Sequence, residues 1–338
     1  MARKIPITTT IQDVAQLASV SPATVSNVLN GASNVGEATR TRVLEAVEKL
    51  NYRPNTIARS LRKSQTATIG LITDDIEGVF TMSMMRGVVD TAGAQGFAAF
   101  LFNTYKDMAQ EKNYLQILMD KQVDGVIIMS GYRVRERSAP ALGLGQIPVV
   151  YLYQYTTDVQ VPCVIPDDLG GGMLATEHLL RVGRRRIGLI NGPLHYEASR
   201  MRLDGYRQAL QAAGLPFEPG LTRNGRWFEN CGYEMACELL ALPQPPDALF
   251  CASDSLASGA LDALRERGLR VPDDVAVIGF DNRSFSAHQR PPLTTVALPL
   301  YEMGTLATDL LLAAIQQSPP EARIYQVPCT LVVRESCP

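Results

Sequence analysis

Two periodicities of apolar residues divide the chain. Over residues 10–18 they fall at 11, 14, 15, 17 and 18, which predicts a short amphipathic helix capped by Thr10, with Asp13 in its first turn. Ser19-Val20 reads as a turn. Ser21-Pro22 then restarts a helix, serine as N-cap and proline at the first helical position, with Val25, Val28 and Leu29 at helical spacing before Asn30-Gly31 stops it. A third helix is predicted from about Glu37 to Leu50, with Val43, Leu44, Val47 and Leu50 on one face. Two short helices about three residues apart, braced by a third, make a helix-turn-helix, although a generic three-helix bundle shares the spacing.

From Ala67 the pattern changes to apolar runs alternating with amphipathic stretches. Strands are predicted at 68–72, 98–102, 125–129 and 148–152, with helices near 82–95 and 112–121. A second series follows Asp167. It comprises helix 173–182, strand 187–190, helices near 200–213 and 232–241, strand 248–251, helix 256–267, strand 275–278 and a last strand at 330–333. Alternating β and α elements argue for parallel sheets covered by helices, and two series for two subdomains with a cleft between them.

Composition narrows the class. The 338 residues are 46% hydrophobic and 20% charged, which fits a globular chain of more than one domain. No apolar run approaches the roughly 18 residues of a membrane span, and the N-terminus lacks the apolar stretch of a secretory signal. A cytoplasmic protein without a membrane partner is expected. Six scattered cysteines, with no C-x-x-C and three histidines, argue for reduced structural thiols and against a metal site. The net charge of −2 hides an asymmetry. Residues 1–66 hold nine Lys/Arg against four Asp/Glu, a net +5, while the rest holds 23 against 30, a net −7. A small basic head on an acidic body points to a polyanion at the head.

The head narrows this further. Residues 10–61, TIQDVAQLASVSPATVSNVLNGASNVGEATRTRVLEAVEKLNYRPNTIARSL, resemble the DNA-binding region of the LacI/GalR family of bacterial transcriptional regulators, and the likeness continues through the chain. The resemblance implies that the second helix lies in the major groove, presenting Ser21, Pro22, Ala23, Ser26 and Asn27, with further DNA contacts from Thr10, Asn30, Asn34 and Tyr52. Asn27 is the sharpest reader, because asparagine pairs bidentately with adenine; many relatives carry arginine there. Asn55 to Leu61 correspond to the family's hinge helix, too short to be stable alone. There Asn55 is an N-cap and DNA-contact candidate, Ala58 permits close backbone approach, Arg59 adds minor-groove or phosphate contacts, and Leu61 wedges into a base step.

For the body the resemblance implies a fold like that of periplasmic sugar-binding proteins. The expected class is therefore α/β: an all-α helix-turn-helix head (1–54), a hinge helix and linker (55–66), and a two-subdomain body of parallel sheets (67–338) for effector binding and dimerisation. The first subdomain takes about 67–164 and 296–327, and the second about 165–295 and 328–338. Ligand sites in such sheets lie beyond the carboxyl ends of strands. Arg202 matches the family's ligand-binding arginine, Asp281 the acid that accepts from hydroxyls, and Trp227 a stacking aromatic. Asp75, Phe80, Asn103, Tyr153, Ser253 and Asp254 complete the candidates. Ser253 departs from a common asparagine, and Tyr153-Gln154 from a common Asp-Arg pair. Tyr151, Tyr153 and Tyr155 alternate and so predict one shared face.

Catalytic signatures are missing. Gly170-Gly171-Gly172 lacks the lysine and spacing of a P-loop, His178, His195 and His288 lie far apart, and Asp167-Asp168 and Asp273-Asp274 read as turn and cap residues. No catalytic residue, cofactor or metal is expected. The expected protein is a homodimeric repressor, released from a near-palindromic operator by a small inducer, with a sugar or oligosaccharide favoured. A purine-like co-repressor is the alternative, and a sugar-transport protein or an enzyme lies further off. The chain has no heptad tail after its last strand, so no tetramer is expected.

Overall fold

The computed structural model describes residues 9–32, 34–52, 65–130, 147–154, 161–321 and 323–338. The hinge candidates Asn55, Ala58, Arg59 and Leu61 lie outside these residues, as does Tyr155. The chain divides into two compact units at Thr66/Ala67.

The head contains α1 (Ile11–Ala18), α2 (Pro22–Leu29) and α3 (Glu37–Lys49). Thr10 closes a capping box on α1: its hydroxyl accepts from the Asp13 N–H, and the Asp13 carboxylate accepts the Thr10 N–H at 2.7 Å. The bonds the Asp13 carboxylate accepts from the Thr10 N–H and from the Thr10 hydroxyl hold it below its ordinary range. Ser19 takes a left-handed turn (φ 53°), and Ser21 Oγ accepts the Thr24 N–H at 3.1 Å to start α2. Val14, Ala15, Ala18, Val25, Val28, Val43 and Ala46 form the core. The predicted face of α3 is corrected at Leu44, which is exposed. It sits about 100° around the helix from Val43, and Val43, Ala46, Val47 and Leu50 carry the buried stripe instead. Leu17, beside Ala18, is exposed for the same reason.

The body carries two sheets among its described residues. The first has the order β11-β5-β4-β3-β1-β2, all parallel: β1 (Thr68–Thr73), β2 (Ala98–Asn103), β3 (Gly125–Met129), β4 (Val149–Leu152), β5 (Cys163–Pro166) and β11 (Ile324–Val327). The second has the order β12-β10-β9-β8-β6-β7: β6 (Ile187–Asn191), β7 (Thr222–Asn224), β8 (Ala248–Cys251), β9 (Ala276–Asp281), β10 (Thr294–Ala297) and β12 (Thr330–Val332), with only β12 antiparallel. Alternation along the strands sends Ile69, Leu71, Val150 and Leu152 to one face of the first sheet, and Ile72, Val149 and Tyr151 to the other. Helices α4 (Thr81–Ala94), α5 (Met108–Asp120), α6 (Asp168–Arg181), α7 (Glu197–Ala212), α8 (Glu229–Leu240), α9 (Asp254–Glu266) and α10 (Leu300–Ile315) complete the body.

Several helices start earlier than their apolar pattern indicates, because a capping side chain fixes the first turn. Asp107 accepts from Ala109 N–H at 2.8 Å, Asp167 from Gly170 N–H at 2.8 Å, and Ser253 from Leu256 N–H at 3.2 Å. Strands β5, β7, β10 and β11 and helix α10 went unpredicted. After β10 the chain returns through α10 to the first sheet, adds β11 beside β5, and crosses again to add β12 beside β10.

Candidate functional site

On the head, α2 separates two faces. Val25 and Val28 are buried, while Ser21, Pro22, Ala23 and Asn27 are exposed and Ser26 is half-buried. Asn30 is exposed and donates to Ser26 Oγ at 3.3 Å. Thr10 and Asn34 are also exposed, whereas Tyr52 is half-buried against the head core.

In the body, β6 lies between β7 and β8, so the strand order reverses there; the crevice beyond such a switch point is where open parallel sheets hold ligands. Arg202 of α7 reaches this point and is buried. Its Nε and Nη2 both lie 2.8 Å from Asp168 Oδ1, and Nη1 donates to the Ala252 carbonyl at 2.6 Å, just past β8. Asp281 Oδ1, at the end of β9, lies 3.7 Å from Nη1. The guanidinium carbon sits 3.7 Å from the Phe280 ring centroid and 5.8 Å from that of Trp227. Trp227 lies against Gly192, with Tyr196 at 6.3 Å between ring centroids.

Burial pushes the Asp281 carboxyl well above the ordinary range; Arg202 opposes that rise, while Asp254 and Asp168 add to it. Its buried Oδ1 has no hydrogen-bond partner among the described residues, and its backbone holds φ 107°, a region that favours glycine. Asp281 thus stands at the switch point as a strained acid with an unused acceptor. Asp254 differs. It is fully buried, Oδ1 accepting from the Thr295 hydroxyl and Oδ2 from the Arg283 N–H, each at 2.6 Å. Burial raises its carboxyl to about 6, against the pull of those two hydrogen bonds. Asp254 bolts the framework, with each of its oxygens accepting one hydrogen bond. Ser253 serves as the α9 cap.

Asp168 and Phe280 were missed. The Asp167-Asp168 pair reads as turn and cap residues; Asp167 caps, and the following position turns inward to Arg202. The triple glycine explains how the acid gets there. A Cβ on Gly171 would stand 2.6 Å from Phe280 Cζ, and one on Gly172 2.5 Å from the Arg202 carbonyl oxygen. Close packing of α6 on α7 therefore sets the Asp168–Arg202 pair. Gly172→Ala is expected to destabilise the body toward the upper end of about 1–3 kcal/mol, since backbone cannot rotate away, with helix propensity returning about 1. A urea midpoint equal to the parent's would refute this packing.

Candidates from the first subdomain form smaller groups. Phe80 meets Tyr153 edge-on at 5.8 Å and packs against the cores of both sheets. Tyr153 corrects the alternation argument: its left-handed backbone (φ 55°) ends the pleat and sends it to the opposite core from Tyr151. Asp75 pairs with Lys106 at 3.5 Å, and Asn103 ends β2 with a buried Nδ2 that has no hydrogen-bond partner among the described residues.

Residues 10–55 match the model of the bacterial regulatory proteins, lacI family, and residues 176–337 that of a periplasmic binding protein-like domain. Across 97% of this chain and 98% of theirs, it is 36% identical to the HTH-type transcriptional repressor PurR of Aliivibrio salmonicida and to catabolite control protein A of Priestia megaterium. The chain belongs to the lacI family. It is a DNA-binding transcriptional regulator of lac-repressor-like fold. The lac repressor dimer bound to operator and the anti-inducer ONPF matches this lacI-family chain with TM-score 0.78 and 30% identity, covering 97% of this chain and 99% of that one. The transcriptional regulator CelR in complex with cellobiose matches with TM-score 0.68 and 34% identity at the same coverage. Among the described residues no helix is long and apolar enough to cross a membrane.

Proposed function

We propose that this regulator is a homodimeric repressor whose heads (1–54) read the halves of a near-palindromic operator, and whose body (67–338) binds a saccharide that releases it. The hinge (55–66) carries the switch, with Leu61 as its wedge. The observation that carries the effector half is the Arg202–Asp281–Trp227 group at the strand-order switch of the second sheet. A planar guanidinium, a carboxylate and an aromatic face suit a vicinal diol. The likeness to a cellobiose-complexed regulator supports a saccharide.

Dimerisation is supported by an apolar surface on the first subdomain. Met82 and Val89 of α4, Phe100 and Leu101 of β2, and Tyr105 and Met108 beyond it are all exposed, large apolar side chains of the kind subunit contacts cover. For release, the saccharide must favour one body conformation by several kcal/mol, since equal binding to both shifts nothing. The kinship with PurR supports a second reading, a purine that strengthens operator binding.

Trp227 is the only tryptophan, so its fluorescence reports the site without interference. A saturable change with a mono- or oligosaccharide, together with loss of an operator shift in gels, is expected. A change with purines alone, accompanied by tighter operator binding, would replace the first reading by the second.

A further inference from the structure

Resting on the proposed effector site, the charge around Arg202 narrows what the site accepts. Arg202 is the buried cation there, and its charge is already matched. Asp168, itself fully buried, accepts from Nε at 2.8 Å and lies at the same ion-pair distance from Nη2, the Ala252 carbonyl accepts from Nη1, and Phe280 covers one face of the guanidinium. Asp281 is then a further buried acid against the same cation, held at 3.7 Å, with an oxygen that accepts no hydrogen bond from the described residues. Of the neighbouring arginines, Arg200 pairs with Glu197, and Arg283 donates its side chain to the neutral Ser255 hydroxyl while its charge is opposed by the buried Asp254 carboxyl.

We infer that Asp168 is a positioning residue that fixes and neutralises Arg202, so that the site takes uncharged, hydroxyl-rich ligands and rejects phosphorylated or carboxylated ones. Protonated, Asp281 offers a donor; ionised, it offers an acceptor and repels an anion. In neither form is there a surplus positive charge for a phosphate or carboxylate to meet. A ligand that donates from hydroxyls to Asp281 Oδ1 supplies the bond this oxygen lacks. The acid at 168 thus does more than support the fold, because it sets the sign of charge the site admits.

The test is a titration of the full-length protein with inorganic phosphate, followed by Trp227 fluorescence and by thermal shift, beside the same titrations with D-glucose and D-glucuronate. The parent is expected to show no saturable response to phosphate or glucuronate. Asp168→Asn keeps the shape, removes one negative charge, and is expected to bind phosphate at least about tenfold more tightly than the parent, a gain lost again in Asp168→Asn/Arg202→Gln. Asp168→Ser, which removes the same charge from a smaller side chain, carries the test should the asparagine variant not fold. A purely structural role would lower stability without this charge-selective gain. The inference is overturned if the parent binds phosphate or glucuronate in a manner lost in Arg202→Gln, or if neither neutral variant gains anion affinity. Failure of the effector reading shows differently: the parent then answers no neutral saccharide or purine, whatever phosphate does.

Discussion

Arg202→Ala is expected to abolish the Trp227 response to effector and the release from operator, while operator binding itself stays within a few-fold of the parent. The guanidinium is the hub of the group, touching Asp168, the Ala252 carbonyl, Asp281 and the rings of Phe280 and Trp227. Removing it leaves the carboxyl groups of Asp168 and Asp281 buried without their cation. Breaking a buried pair in this way costs about 3–5 kcal/mol, far more than the pair contributes against an apolar replacement. The loss also carries a pH signature. Arg202 is what pulls the Asp281 carboxyl down against desolvation, so the variant's folded state binds a proton there more tightly still. An acid whose folded pKa exceeds its unfolded value contributes stability at low pH and loses it as pH rises through that interval. Urea unfolding should therefore show a larger gap between parent and Arg202→Ala at pH 8 than at pH 5. A variant that still released operator on adding effector would remove Arg202 from the effector site. A gap independent of pH would mean that Asp281 does not depend on Arg202.

How far this site was legible in the sequence depended on whether a residue's role is local. Thr10, Ser21 and Asp167 act within one turn of their own helix, and their caps are written in adjacent positions. Arg202, Asp281 and Trp227 were named through family resemblance, and the structure brings them together at one switch point. Asp168 was not singled out because an acid pair at a helix start looks like turn and cap residues. What turns it inward is the packing of α6 on α7 across Gly172, a contact between positions 30 residues apart in sequence. Asp254 was named for the opposite reason, since a polar residue after a strand in such a sheet is a ligand candidate by rule. Its two partners, Thr295 and the Arg283 N–H, arrive from later segments and give each oxygen a framework hydrogen bond. Tyr153 broke its period because a left-handed residue ended the strand one position early. In each case a long-range contact or a single dihedral overrode the local pattern.

The head supplies the second large effect. Asn27→Ala is expected to relax sequence discrimination at one base pair of each half-site by about 1–3 kcal/mol, roughly 5- to 150-fold, leaving other positions unchanged. The reason lies in the two faces of α2. Val25 and Val28 anchor the helix in the head core, so Asn27 is presented, exposed, on a fixed backbone. Pro22 and Ala23 share that exposed face but offer only shape and methyl contact. Asparagine offers both a donor and an acceptor, matching adenine N7 and N6, whereas arginine offers two donors and matches guanine O6 and N7. Asn27→Arg should therefore move the preferred base from adenine to guanine. Because Asn27 carries no charge, Asn27→Ala should leave the salt dependence of operator affinity unchanged, as a phosphate-contacting lysine or arginine would not. Binding selected from randomised half-sites reads both variants together. Uniform weakening of every site by Asn27→Ala, with no change of preference in Asn27→Arg, would show that this residue positions the helix without reading a base.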